Sequence, residues 1–179
     1  MSPDPEVREL LDRQQIYQVL MRYCRGIDRA DPELLRSVYH EGAIDRHGPW
    51  EFSDAKRDFV AFAIPRHDAL ETATQHHISN CLIELDGNNA SVESYFLAFQ
   101  PTKVEDGTEA LSFIGGRYLD RFERRDGRWA IAERTVVNDW SRLSLPGEEW
   151  PPMRDHLRGG RREADPSHGL FARPPGVVA

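Results

Sequence analysis

A helical period in the first part of the chain gives way to strict alternation in the second. Ile16, Leu20, Tyr23 and Ile27 follow one another at spacings of four, three and four, which makes one apolar stripe along a helix. Asp4-Pro5 opens that helix, with the aspartate as cap and the proline in the first turn, and Gly26 stands where a C-terminal glycine is expected. Tyr23 is on the buried stripe and Asp28 follows just beyond it. Asp31-Pro32 starts a second, short helix by the same chemistry, running to about Tyr39. A small strand is expected from Ala43 to Arg46. Asp54 caps a third helix through Phe59, Val60 and Phe62 to about Leu70, kinked or split by Pro65.

Residues 74–85, 90–103, 109–125 and 128–141 read as long strands. They are divided by Asp86-Gly87-Asn88-Asn89, Glu105-Asp106-Gly107 and Arg125-Asp126-Gly127, the short connections that antiparallel hairpins require. Helices followed by a four-stranded meander predict an α+β fold, with the helices packed on one face of a curved, mostly antiparallel sheet. Gly115-Gly116 inside a strand predicts a bulge or sharp bend where the sheet curls. On the first long strand His76, Ile78, Asn80 and Leu82 share one face, and His77, Ser79, Cys81 and Ile83 share the other. Adjacent histidines cannot both point inward. His76 is the choice, because Asn80 on its face can help fix a polar site.

Length and charge narrow the classes. A chain of 179 residues suits one domain with a real core, placed here at residues 1–144. Residues 145–179 are rich in proline and glycine and form a tail, either disordered or an ordered strap over a pocket or a neighbouring subunit. Trp150, Met153, Leu157, Leu170 and Phe171 are its apolar anchors. The net charge of −7 argues against nucleic acid or an anionic membrane as a partner. The basic run Arg158-Gly159-Gly160-Arg161-Arg162 reads as solvated tail, with local anion binding left open as the alternative. No apolar run is long enough to span a bilayer, and the N-terminus lacks an apolar signal region. Cys24 and Cys81 have no metal-binding spacing, which suits a reduced cytoplasm, with one disulfide between them left open. No metal-ligand spacing and no nucleotide-binding glycine loop is present, so neither metal nor cofactor is expected. Tyr95, Leu97 and Phe99 fall on the face opposite Phe96 and Ala98. A monomer rarely exposes such a patch, and a homo-oligomer is expected.

The order of elements, with Tyr23-x4-Asp28 and His76-x3-Asn80, resembles the SnoaL-like branch of the NTF2-like superfamily over about residues 8–141. The resemblance is strongest in Arg13-Gln14-Gln15-Ile16, in Tyr23-Cys24-Arg25-Gly26-Ile27-Asp28, in His76 to Gly87 and in Arg121-Phe122-Glu123-Arg124-Arg125-Asp126-Gly127-Arg128-Trp129. The branch includes scytalone dehydratase, bile-acid 7α-dehydratase and hexachlorocyclohexane dehydrochlorinase. The resemblance implies a cone-shaped sheet around a small-molecule pocket. It implies an Asp–His dyad at Asp28 and His76, with Tyr23 matching a tyrosine of the site by its spacing and Arg134 matching an arginine beside the dyad. His77 is extra to the motif. One face of each later strand would look into the cone: Val92, Phe96 and Ala98, then Ile114, Gly116 and Tyr118, then Arg134, Val136, Asn138 and Trp140. The same resemblance makes a trimer the first expectation for the oligomer and a dimer the second.

The chemistry follows from the residue types. An imidazole titrates at about pH 6.5 and takes a proton at neutral pH. A carboxylate on its other nitrogen fixes the tautomer and stabilises the imidazolium, and a phenol can donate to a leaving oxygen or hold an enolate. The expectation is a cofactor-independent, dehydratase-like lyase acting on a small hydrophobic cyclic or aromatic hydroxylated compound. His76 is the base, Asp28 orients it, Tyr23 is the acid or donor, and Arg134 steadies the dyad or the leaving group. A retro-aldol lyase or a double-bond isomerase would use the same groups. A non-catalytic ligand-binding module is the rival class, since one fold hosts many functions.

Overall fold

A computed structural model describes residues 4–70, 73–145 and 156–170. Helix α1 (Pro5–Asp28) is capped by the Asp4 carboxylate on the Glu6 N–H. Helix α2 (Pro32–Arg36) is capped in the same way by Asp31 on the Leu34 N–H. Both follow from the Asp-Pro openings. Gly26 lies within α1 and not beyond it. A Cβ there would stand 3.0 Å from the Leu35 backbone nitrogen, so the glycine lets α1 and α2 approach. Helix α3 (Val60–Asp68) is preceded by a π-helical turn, Ala55–Phe59. Asp54 makes no side-chain cap, and of the two expectations for Pro65 the split does not occur, since the proline sits inside α3.

The sheet has six strands: β1 (Tyr39–His47), β2 (Trp50–Phe52), β3 (Gln75–Asp86), β4 (Asn89–Lys103), β5 (Glu109–Arg125) and β6 (Arg128–Ser144). Their order is β2-β1-β6-β5-β4-β3, curved and open, with β1 parallel to β6 and every other pair antiparallel. The four-stranded meander is as expected. The small strand at 43–46 is the middle of a longer β1, whose ends carry buried or half-buried polar residues (His40, Asp45 and His47) that hide its alternation.

The helices cover one face. Ile16, Leu20, Tyr23 and Ile27 of α1 pack with Val92, Phe96, Ala98, Tyr118, Phe122 and Ile131 of the sheet in one core. Burying residues of this kind contributes about 1.5–3 kcal/mol each before entropy is counted. Polar anchors fix the register of helix on sheet. Arg124 and the Trp129 indole both donate to the buried Asp12 carboxylate, at 2.7 and 2.8 Å.

Three one-residue bulges set which side chains face the helices. One falls between Ile78 and Cys81 on β3. The others insert Asp139 and Ala132 on β6, opposite Gly115/Gly116 and Arg121/Phe122. Each bulge reverses the alternation beyond it. Among the described residues no helix is long and apolar enough to cross a membrane.

Candidate active site

The last residue of α1 and the first residues of β3 meet. His76 Nδ1 lies 2.7 Å from Asp28 Oδ1, the His76 backbone N–H donates to Asp28 Oδ2 at 2.9 Å, and the Thr74 hydroxyl donates to Oδ1 at 3.1 Å. Thr74 is fully buried; the His76 and Asp28 side chains keep 10% and 12% exposure. Three donors lock the carboxylate, and its bond to Nδ1 leaves Nε2 as the free nitrogen of the ring. His77 turns the other way, against Gln75 at 3.3 Å and edge-on to Phe99, and is exposed.

Tyr23 stands deeper, 1% exposed, stacked on Phe59 and edge-on to Tyr39 and Tyr118. Burial raises its pKa well above the ordinary phenol value, with Arg134 opposing, so the phenol stays protonated. Arg134 is fully buried and bidentate on Asp120, at 2.7 Å to each oxygen, with its guanidinium 4.1 Å from the Tyr23 ring centre and 4.0 Å from that of Tyr118. Its side-chain hydrogen bonds go to Asp120; none is made to Asp28 or His76. Arg134 therefore backs the tyrosine wall. On the neighbouring strand Asp45, its register partner, accepts from the Tyr39 hydroxyl at 2.7 Å.

Phe96, Ala98 and Tyr118 are buried on the inner face, with Phe96 stacked on Tyr118 at 4.5 Å, and Ile114 and Val136 are half-buried beside them. Gly116 belongs there too. A Cβ would meet the Phe96 ring at 2.9 Å and crowd the Val137 carbonyl. Asn138 pairs with Gly116 in register and is exposed. Two residues are corrected. The β3 bulge takes Asn80 out of the face of His76 and leaves it exposed, with Leu82 63% exposed beyond it. The Asp139 bulge puts Trp140 opposite Gly115 and Leu97, on the outer face, where its indole lies over Gly115. A signal of the first bulge is present in the sequence: Ile78 and then Cys81, Ile83 and Leu85 are the half-buried positions of β3, a phase change of one residue.

One histidine near the dyad escaped the sequence reading. His67, on the last turn of α3, has its ring centre 6.1 Å from that of His76. Its signal is helical spacing, since Val60, Ala63 and Ile64 share its stripe. The two cysteines are free, and burial pushes the Cys24 thiol up to about 12, so neither thiol has the character of a nucleophile at neutral pH. No group of three or more His, Cys, Asp or Glu among the described residues is arranged to hold a metal ion. Two surface depressions, about 410 Å³ on the outer face of β3–β6 and about 920 Å³ beside α1, α2 and the β5–β6 turn, include neither Asp28 nor His76.

Residues 156–170 dock beside the dyad. Arg161 Nε donates to the His67 carbonyl at 2.9 Å and Nη1 to the Asp28 carbonyl at 3.3 Å. Arg162 donates to the Ala30 carbonyl and to Asp68, and Asp165 pairs with Arg29 at 3.0 Å. Cations at the carbonyl ends of α1 and α3 also suit the helix dipoles. This part of the basic run is hydrogen-bonded to the domain, with Arg161 half-buried and Arg162 still exposed. Leu157 and Leu170 are 85% and 73% exposed, so they do not anchor it. Trp150, Met153 and Phe171 lie outside the described residues.

The SnoaL-like domain profile matches residues 8–135. No curated relative matches the chain by sequence. Among solved structures, one from Novosphingobium aromaticivorans, described as a putative scytalone dehydratase, is 20% identical over 79% of this chain and 91% of its own, with a TM-score of 0.66. The hexachlorocyclohexane dehydrochlorinase LinA-type3 from Novosphingobium barchaimii is 18% identical over 82% and 99%, with a TM-score of 0.68. A Mycobacterium tuberculosis protein of unknown function is 23% identical over 76% of each chain, with a TM-score of 0.64. At these identities the likeness is one of fold.

Proposed function

The chain belongs to the SnoaL-like domain family, and from that premise we propose a cofactor-independent, dehydratase-like lyase acting on a small hydrophobic cyclic or aromatic hydroxylated compound. The observation that carries the reading is the bond between Asp28 and His76, 2.7 Å long, with two further donors on the same carboxylate. His76 Nε2 takes a proton from the substrate. Asp28 holds the ring in the tautomer that leaves Nε2 free and stabilises the imidazolium that forms. The departing hydroxyl recovers that proton and leaves as water. Tyr23, protonated and set against the aromatic wall, is the hydrogen-bond donor. Arg134 acts by holding Tyr23 and Tyr118 in place. Dehydration and dehydrochlorination, named for two of the structural neighbours, are eliminations of the same class.

The same proposal places the enzyme in the cytoplasm as a homotrimer, or next a dimer, joined through the outer face. There Tyr95, Leu97 and Trp140 are 42%, 40% and 46% exposed. Light scattering tests this: a monomer at micromolar concentration refutes it.

Turnover is tested by screening hydroxylated aromatic and steroid-like compounds. Asp28→Asn and His76→Ala are each expected to abolish activity with the circular dichroism spectrum unchanged, and the double variant to lose little more, because the pair acts as a unit. Near-wild-type turnover by His76→Ala sinks the mechanism. Ligand binding with no turnover by the wild type would favour the binding-module reading.

A further inference from the structure

His67 has no part in the mechanism above, yet it shares the site. Its ring is tilted 48° to that of His76 at 6.1 Å between centres, and no hydrogen bond joins the two. Its Nδ1 is buried and without a hydrogen-bond partner. The groups acting on it are His76 from β3, Asp28 from α1, Arg161 from the C-terminal segment and His47 from β1. Burial first, then His76, holds its pKa down to about 4 against the pull of Asp28. At neutral pH the ring is uncharged beside one that must accept a proton. Its backbone is pinned, since the Arg161 guanidinium spans the carbonyls of His67 and Asp28. One side chain thus ties the strand-facing histidine of α3 to the carboxylate of α1.

We infer that His67 is a second catalytic imidazole, which donates a hydrogen bond to a carbonyl oxygen of the substrate while His76 removes the proton from the adjacent carbon. The inference rests on His76 as base and narrows the substrate to a hydrophobic β-hydroxy carbonyl compound. In the first step the α C–H bond breaks, the proton goes to His76 Nε2, and the electron pair passes through the new C=C bond to the carbonyl oxygen, where the His67 N–H meets it. In the second step the carbonyl re-forms, the β C–O bond breaks, and the hydroxide takes the proton back from His76 as water. Nothing is oxidised or reduced. An uncharged imidazole suits this task because it polarises the oxygen without surrendering a proton to it.

Two probes test the inference. Deuterium exchange at the α-carbon of 2-tetralone, followed by NMR, reads the first step alone. Fluorescence titration with 2-naphthol, a planar enol mimic, reads the oxygen contact without any proton abstraction. His67→Phe is expected to slow exchange about 100-fold and to weaken 2-naphthol at least tenfold. His67→Gln, which still carries an N–H donor, should recover most of both. His76→Ala should abolish exchange and keep 2-naphthol binding. Exchange and binding at wild-type levels in a folded His67→Phe overturn the inference while leaving the base in place. Wild-type exchange rates in His76→Ala instead overturn the base. A wild type that neither exchanges 2-tetralone nor binds 2-naphthol refutes the carbonyl substrate.

Discussion

Removing the Asp120 carboxylate isolates the Arg134 charge. Both side chains are fully buried, and two hydrogen bonds of 2.7 Å join them. The guanidinium is closed in by the faces of Tyr23 and Tyr118, and its Nη1 makes no hydrogen bond of normal geometry. In Asp120→Asn the arginine, which cannot give up its proton, keeps its charge. Its attraction to a tyrosine face is worth about 2 kcal/mol or more when desolvated, which offsets only part of the loss. Breaking such a pair from one side costs about 3–5 kcal/mol, and for a chain of this size each kcal/mol moves Tm by about 2–4 °C. The expected fall is thus between about 6 and 20 °C. Arg134→Met alone strands Asp120 and should cost nearly as much. Asp120→Leu with Arg134→Met removes both charges and should be more stable than either single variant. Urea unfolding of all four proteins, read by tryptophan fluorescence and far-ultraviolet circular dichroism together, ranks their stabilities. Single variants within about 1 kcal/mol of wild type, or a double variant no better than the singles, would show that the pair is solvated in solution and refute the argument.

His67 sets an acid dependence. Its pKa falls from 6.5 to about 4 on folding, so the unfolded chain takes up a proton first as pH drops. Stability is therefore lost between pH 6.5 and 4, by about 3 kcal/mol from this group. Urea midpoints across that window should fall less steeply in His67→Phe, and equal slopes would discount the burial. Gly116→Ala drives a methyl into the Val137 carbonyl and the Phe96 ring and is expected to cost about 2–3 kcal/mol. For Gly115→Ala the three nearest atoms all belong to the indole of Trp140, which is 46% exposed and can swing aside, so equal costs in thermal melts would contradict the packing. Arg161→Met loses the two hydrogen bonds to the helix-end carbonyls and should cost about 1–2 kcal/mol. An unchanged urea midpoint would show that the segment does not hold those ends together.

Local sequence was enough for several features that depend on a few neighbouring residues, though not for the Asp54 cap or the place of Gly26. Asp4-Pro5 and Asp31-Pro32 determined the starts of α1 and α2, the spacing from Ile16 to Ile27 determined the buried stripe, and three Asp- and Gly-bearing turns determined the meander. His76 and His77 could be assigned to opposite faces because both precede the β3 bulge, where parity still holds. Parity failed past Ile78 and past Asn138. A bulge belongs to a pair of strands, so one extra residue moved Asn80 and Trp140; the phase change at Cys81 and the Gly115-Gly116 pair hint at the bulges, but only the strand pairing fixes where the extra residue falls. The same limit applies to Arg134. The position was legible, but its partner Asp120 lies across a strand pair, and only the paired sheet brings that carboxylate against the guanidinium. His67, the parallel pairing of β1 with β6 and the docking of Arg161 are decided by contacts between residues far apart in the chain. Such contacts exist only once α1, α3 and the sheet are packed, because packing alone fixes which helix ends and strand ends share a surface.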